Sequence, residues 1–310
     1  MAEVNLTRFQ PATFHLTGFP GLEQFHPWIS VPFCALYFTS ILGNGTILLI
    51  VRRDRHLHEP MYFFLCMLSL NDLGVSLSTL PTVLPLFCFS VHEVAFDACL
   101  AQMFFIHSFS FMESGILLAM SFDRFVAICN PLRYSTMLTR PRIARIGLAI
   151  VLKSTVMLFP FPFLIKRLPI CRSNVLSHAY CLHPDMMRLA CADITINNVY
   201  GFFVVLFTYG LDSAFIILSY IMILKAVLNI ASREQRRKAL NTCVSHICAV
   251  LSFYVPIIAV SVLHRFGKDA PPAVHIMMSN VYLFVPPLLN PIIYSVKTKE
   301  IRKGIFRMFH

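Results

Sequence analysis

The chain has 310 residues, 57% of them hydrophobic and 13% charged, with a mean hydropathy of +0.69. Soluble domains carry about 25% charged residues, so a water-facing globule is excluded and lipid is the expected solvent. The formal net charge of +11 would suit a nucleic-acid binder, but the basic residues sit in short clusters between apolar runs, and no nucleic acid is expected as a partner.

In chain order, residues 1–27 are mixed and polar, with no apolar core ahead of a cleavage site, so no secretory signal is read there. This segment is expected to be an extracellular N-terminus, and Asn5-Leu6-Thr7 within it is a glycosylation sequon. Seven apolar runs follow, at 28–51, 60–88, 98–122, 146–165, 196–224, 239–263 and 271–296. Each is close to the roughly 20 residues that a lipid-spanning helix needs. The reading is an all-α membrane protein in which 28–296 form a seven-transmembrane helix bundle. In the tail, 297–310, Ile301, Ile305 and Phe309 recur at helical spacing among basic residues, which predicts a short amphipathic helix on the inner membrane surface.

Of the 26 lysines and arginines, 18 fall on the side that holds the first, third and fifth connections and the tail, and 7 on the other, with Lys153 inside a run. Positive loops stay in the cytoplasm, so the N-terminus is expected outside a multi-pass plasma-membrane protein. Of ten cysteines, Cys99, Cys171, Cys181 and Cys191 fall on the outer, oxidising side. They allow three pairings. The favoured one joins Cys99 at the start of the third run to Cys181 in the long outer loop, leaving Cys171 with Cys191.

Five ionisable residues intrude on the spans: Asp72, Glu113, Lys153, Asp212 and His246. Charge inside a membrane is costly and usually functional. Asp72 and Glu113 repel unless a cation or a proton joins them. They are candidates to hold a sodium ion with Ser114, Asn290 being near; the alternative is two protonated, hydrogen-bonded acids. No other cofactor is expected. At the end of the third run Asp123 and Arg124 stand side by side. Arg124 either snorkels to the interface or pairs locally and later offers its guanidinium to a cytoplasmic partner.

The segment FDRFVAICNPLRY around Arg124 resembles the corresponding region of rhodopsin-like G-protein-coupled receptors, in the form typical of odorant receptors. PMYFFLCMLSLNDL (60–73), KALNTCVSHICAVLSFYVP (238–256) and PPLLNPIIYSVKTKEIRK (286–303) resemble the same family in order along the chain, and Gly43-Asn44 fits too. CLHPDMMRLACAD and HRFG resemble its class I, fish-like branch, particularly family 51. The resemblance implies an odorant receptor that couples through a heterotrimeric stimulatory G protein to cAMP. It implies that Arg124 contacts the G protein, that Tyr220 and Tyr294 rearrange toward it, that Asp72 and Asn290 form an interior polar network, and that His246 occupies the family's SH element. Phe125 departs from the usual tyrosine, and FYVP stands where many receptors have a tryptophan motif. Tyr254, with Phe253 beside it, is therefore the candidate toggle.

A ligand is expected in the outer half of the bundle. His107, Ser110, Phe111 and Ser114 share one face of the third helix, and His107 stands about 25 Å from Arg124 at 1.5 Å per residue. Arg265 ends the sixth run with Ser261 one turn below it. A guanidinium fork suits a carboxylate, and the resemblance favours small acids, so Arg265 is the candidate anchor; its other reading is an ordinary loop charge. Lys166, Arg167 or Arg188 could supply the charge instead, or the odorant could be uncharged. Met103, Ile106, Phe202, Val205 and Phe253 would complete an apolar pocket. No catalytic or metal constellation is apparent: His56 with His58, and Cys181 with His183, do not close a site, and an enzyme is not expected. A proton- or ion-coupled transporter using Asp72, Glu113 and Asp212 is the other class to weigh, though the chain shows no repeated halves.

Overall fold

The computed structural model describes residues 10–171, 173–266 and 270–309, with the side chains of 242, 264–266, 308 and 309 outside that description. Asn5 and the Arg265 side chain therefore lie outside the described residues. Seven helices are long and apolar enough to cross a membrane. They are α1 (His26–Arg53), α2 (Pro60–Phe89), α3 (Phe96–Cys129), α4 (Arg140–Lys166), α5 (Thr195–Leu228), α6 (Arg233–Phe266) and α7 (Pro272–Lys297). Large apolar side chains such as Phe38, Leu77, Val156 and Ile217 are exposed on their flanks. In water such a belt would aggregate; against acyl chains it is the expected surface.

The spans are read from composition at the right places but too short. α3, α4 and α6 run one to two turns past their apolar runs, because composition marks depth in hydrocarbon and a helix continues until its cap. α3 is the most buried of the seven and forms the axis of the bundle.

Close approach of α1 to α7 rests on two adjacent residues. A Cβ on Gly43 would sit 2.9 Å from Pro291 Cβ. Pro291 lacks the N–H that would pair with the carbonyl one turn earlier, and that carbonyl, Pro287 O, is taken by Asn44 Nδ2 at 3.0 Å and Ser40 Oγ at 3.2 Å. A backbone oxygen inside a membrane must find a donor, and the neighbouring helix supplies two.

At the end of the bundle that carries the disulfides, the all-α reading needs one addition. β1 (Thr13–Leu16) lies between β2 (Glu93–Ala95), antiparallel to it, and β3 (Val175–Leu176), parallel to it. Phe14 and Leu16 are buried beneath this small sheet. Cys99 is bonded to Cys181 and Cys171 to Cys191. Cys181 N–H also donates to Gln102 Oε1 at 2.9 Å, so the long loop lies down on α3. At the opposite, arginine end, α8 (Lys299–Phe309) buries Ile301 and sets Gly304 against Ile50 of α1. Arg307 pairs with Asp54 at 3.3 Å.

Candidate ligand-binding site

Beneath the loop lies a cavity of about 380 Å³. α3 contributes His107 and Phe111, α5 Phe202 and Val205, and α6 Ser261. The loop adds His183 and Arg188, and α7 adds Tyr282. Five of the residues expected at a pocket thus meet on one space. Phe202 is 46% exposed, so it borders both the cavity and the flank of the bundle.

Other expected residues are placed elsewhere. Met103 and Ile106 are buried in the core outside the lining. The loop, pinned at Cys99 and Gln102, covers that turn of α3, and the cavity opens deeper. Ser110 supports the floor: Tyr282 donates to its hydroxyl, which pairs with Tyr209 Oη at 2.8 Å. Phe253 and Tyr254 form a layer below, with the Phe253 ring 5.9 Å from Tyr209 and 5.1 Å from Tyr254. The π turn Leu206–Gly210 in α5 carries both Thr208 and Tyr209 into the buried interior; the extra residue per turn re-aims side chains in the way such bulges do at functional sites.

The lining is cationic or neutral. Arg188 is the one charged side chain among the described residues that line it, and no Asp or Glu does. His183 is neutral at ordinary pH, since burial and the adjacent His107 push its pKa down to about 3. Its backbone N–H points to His107 Nε2 at 3.4 Å, and its own Nε2 has no hydrogen-bond partner among the described residues.

Ser114 is turned away from Asp72 and Glu113, which corrects its expected place beside them. Its hydroxyl donates to Asp212 Oδ2 at 2.8 Å and stands 2.9 Å from Tyr254 Oη. Asp212 also meets Lys153 Nζ at 2.9 Å. Four helices therefore share one polar layer under the cavity. The pairing was missed in the sequence, although the signal was there: opposite charges intrude on consecutive runs, and each is the other's cheapest partner in lipid. Beside this layer, Asn290 Nδ2 donates to Asp72 Oδ2 at 3.1 Å and to Glu113 Oε1 at 3.4 Å. Asn290 Oδ1 is buried without a partner among the described residues. No group of three or more His, Cys, Asp or Glu is gathered for a metal among the described residues.

At the arginine end, Arg124 is bonded to Asp123, whose other oxygen accepts from Tyr134 Oη at 2.8 Å. His246 Nδ1 lies 2.5 Å from Tyr220 Oη, and its Nε2 lies 3.0 Å from Leu117 O, which ties α6 to α5 and α3. A second space of about 380 Å³ opens here, bordered by Arg124, His246 and Tyr294. Leu132, which the sequence reading passed over, is 96% exposed at this end. Tyr134 and Tyr209 were passed over too, because a tyrosine in an aromatic-rich chain carries no signal until its hydroxyl has a partner.

Comparison with known proteins gives a consistent result. A family model described as "Olfactory receptor" matches residues 33–310. Olfactory receptor 51I1 of Homo sapiens is 67% identical over 310 residues, covering 100% of this chain and 99% of that protein. Olfactory receptor 51I2 of Homo sapiens is 65% identical over 300 residues, covering 97% and 96%. Olfactory receptor 51E1 of Homo sapiens is 53% identical over 310 residues, covering 100% and 97%.

Proposed function

Since the chain belongs to the olfactory receptor family of odorant-sensing G-protein-coupled receptors, we propose that its odorants are small carboxylic acids and that it raises cAMP through a stimulatory G protein. The observation that carries the acid reading is the charge of the cavity wall: Arg188, Ser261 and asparagines on an apolar surface, with no described carboxylate. An anion entering such a space pays its desolvation against fixed donors and meets no repulsion. Arg265 lies on α6 one turn beyond Ser261, and a bidentate guanidinium is the group that best offsets the rest of that cost. Arg265 is the proposed anchor and Arg188 the second cation.

The proposed orientation places the disulfide end outside the cell and the arginine end inside. Disulfides persist on the oxidising side, and the basic clusters belong in the cytoplasm. Asn5 would then be available for glycosylation. In the described state Arg124 is held by Asp123, and α6 is held by His246. An acid bridging α6 to α3 and α5 stabilises a different packing of α6, and it does so only by the difference in its affinity for the two states. Tyr254, Tyr220 and Tyr294 are the proposed moving parts, and freed Arg124 with exposed Leu132 the proposed G-protein contacts. A sodium ion between Asp72 and Glu113, with Asn290 Oδ1 as a third oxygen, is proposed for the closed state. If the ion is there, sodium raises the melting temperature of the receptor over potassium, and Asp72→Asn abolishes the difference; equal melting in both salts rejects the site.

The experiment for the ligand is cAMP accumulation in cells that carry the receptor and an olfactory-type stimulatory G protein, challenged with matched acids, alcohols and aldehydes. Arg265→Gln is expected to lose acid responses at least tenfold while basal signalling stays. An unchanged acid response would move the anchor to Arg188, tested by Arg188→Gln. A response to the uncharged analogues alone would keep the receptor and remove the arginine model.

A further inference from the structure

Two depressions at the arginine end, between α2, α3 and α4, play no part in odorant or G-protein binding as described. The lower one, about 430 Å³, is bordered by His58, Glu59, Phe63, Tyr134, Thr139 and Arg140. The upper one, about 330 Å³, is walled by Met67, Leu70, Met112, Ile116, Leu148 and Val151. Met67 follows Phe63 by one turn of α2, and Gly147 in the upper wall follows Ile143 in the lower wall by one turn of α4. The two spaces are therefore stacked along the helix axes. At 1.5 Å per residue, Leu148 and Val151 stand roughly 12 and 16 Å above Arg140. Half of a hydrocarbon core is about 15 Å. The lower space is at head-group level and the upper one at acyl-chain level of the same leaflet.

Charge distinguishes the two levels. Arg140, Arg142 and Arg145 occupy the first two turns of α4 and are all exposed, and the first turn holds no acidic residue. The Arg140 guanidinium rests over the Phe63 ring at 5.7 Å, and Arg142 donates to Met137 O at 2.6 Å. None of the three is in an ion pair among the described residues. Glu59 is the one acid on the lower rim. The upper wall is hydrocarbon except for Asn71, whose amide atoms are buried. A soluble anion would use the arginines and leave the groove empty, and a neutral lipid would do the reverse.

We infer that an anionic phospholipid of this leaflet occupies both spaces, its phosphate-bearing head group against Arg140, Arg142 and Arg145 and one acyl chain in the upper groove. Clusters of Lys and Arg at a membrane surface attract anionic lipid by about 1 kcal/mol per residue, enough for three to enrich such a lipid more than tenfold. The inference rests on the receptor reading only for calling this the cytoplasmic leaflet. Because Tyr134 borders the lower space and bonds Asp123, the head group sits one hydrogen bond from the Arg124 pair.

The test uses the full receptor in phosphatidylcholine vesicles with trace spin-labelled phosphatidylserine or spin-labelled phosphatidylcholine, and reads the immobilised fraction of each label. Phosphatidylserine is expected to be held in preference, and the triple variant Arg140→Gln, Arg142→Gln, Arg145→Gln to lose at least tenfold of that preference. Gly147→Leu keeps the arginines but fills the groove, since a Cβ there would already stand 2.7 Å from Met67 Cε; it should also weaken retention. Melting in phosphatidylcholine alone verifies that each variant is folded, and Arg→Lys replacements at the three sites should retain the preference. Equal retention of the two labels by the unmodified receptor would overturn the inference. So would a preference that survives the triple variant, or displacement of the label by soluble glycerophosphoserine, which has the head group and no chain. Odorant response does not enter the readout, so failure of the acid reading leaves this test standing.

Discussion

A serine hydroxyl has one proton, and at Ser114 that fact sets a direction. Asp212, an acceptor toward Lys153, can only accept from Ser114 as well. Ser114 must then accept from Tyr254. The order runs Tyr254 on α6, Ser114 on α3, Asp212 on α5, Lys153 on α4, and each link constrains the next. Lys153 lies mid-span in α4, so its exposed part faces hydrocarbon rather than water, and Asp212 is the partner that offsets its burial in the membrane. The link that reaches α6 is a neutral hydrogen bond, worth about 1 kcal/mol between membrane helices. Ser114→Ala is expected to raise the basal cAMP of the unliganded receptor by up to about fivefold, the factor equivalent to 1 kcal/mol. Surface labelling normalises the signal. Basal signalling that is unchanged or reduced would show that this hydroxyl does not hold α6 in the closed packing.

Helices are the level at which the sequence was most informative. Seven apolar runs predict seven spans because hydrocarbon demands apolar length, and this demand overrides local propensity: Pro81, Pro85, Pro256 and Pro291 all lie inside helices. Composition could not show where α4 and α6 begin, since their first turns are polar, nor that α3 continues past Asp123 and Arg124. Nor could it show β1, a strand of four residues whose partners lie far along the chain. Gly43-Asn44 was legible as a motif, whereas its purpose became clear from Pro291 and the carbonyl it strands. Asn44→Ala leaves Pro287 O with Ser40 alone. The expected cost is about 1 kcal/mol, read as a lower melting temperature of the purified receptor. Asn44→Ala combined with Ser40→Ala should cost more than either alone. A double variant that melts like the parent would show that the stranded carbonyl has another donor. The candidate site was legible to about the same degree: His107, Phe111 and Ser261 follow from helix phase, while Ser114 was misplaced because its partner, Asp212, sits on a helix whose rotation no spacing reveals.

For the molecule as a whole, the loop that carries Cys181 is both roof of the cavity and part of its core. Tyr180, Cys181, Leu182 and Met186 are buried, so opening the loop exposes packed surface. His183 adds a pH dependence to that packing. Its folded pKa is pushed down to about 3, below the ordinary value near 6.5. Above about pH 7 it is neutral folded and unfolded and has no effect. As pH falls below 6.5 the unfolded chain takes up a proton that the folded one refuses, so stability declines until about pH 3. Melting temperature should therefore fall between pH 6.5 and 4.5, and His183→Gln should flatten part of that slope. An identical slope in the variant would assign the effect to the other histidines.

The placement of β1 has a consequence for how the protein is made. β1 is made before any of the seven spans, yet its parallel partner Val175–Leu176 comes after four spans have been synthesised. At the ordinary pace of roughly 5–20 residues per second, the edge of β1 that faces Val175–Leu176 waits on the order of ten to thirty seconds for its partner, even after Glu93–Ala95 can pair with the other edge, and an unpaired edge is a template for wrong partners. Tightness of the roof in the finished receptor thus carries a delay in its biosynthesis, during which the yield of folded protein depends on what shields the open edge of Thr13–Leu16.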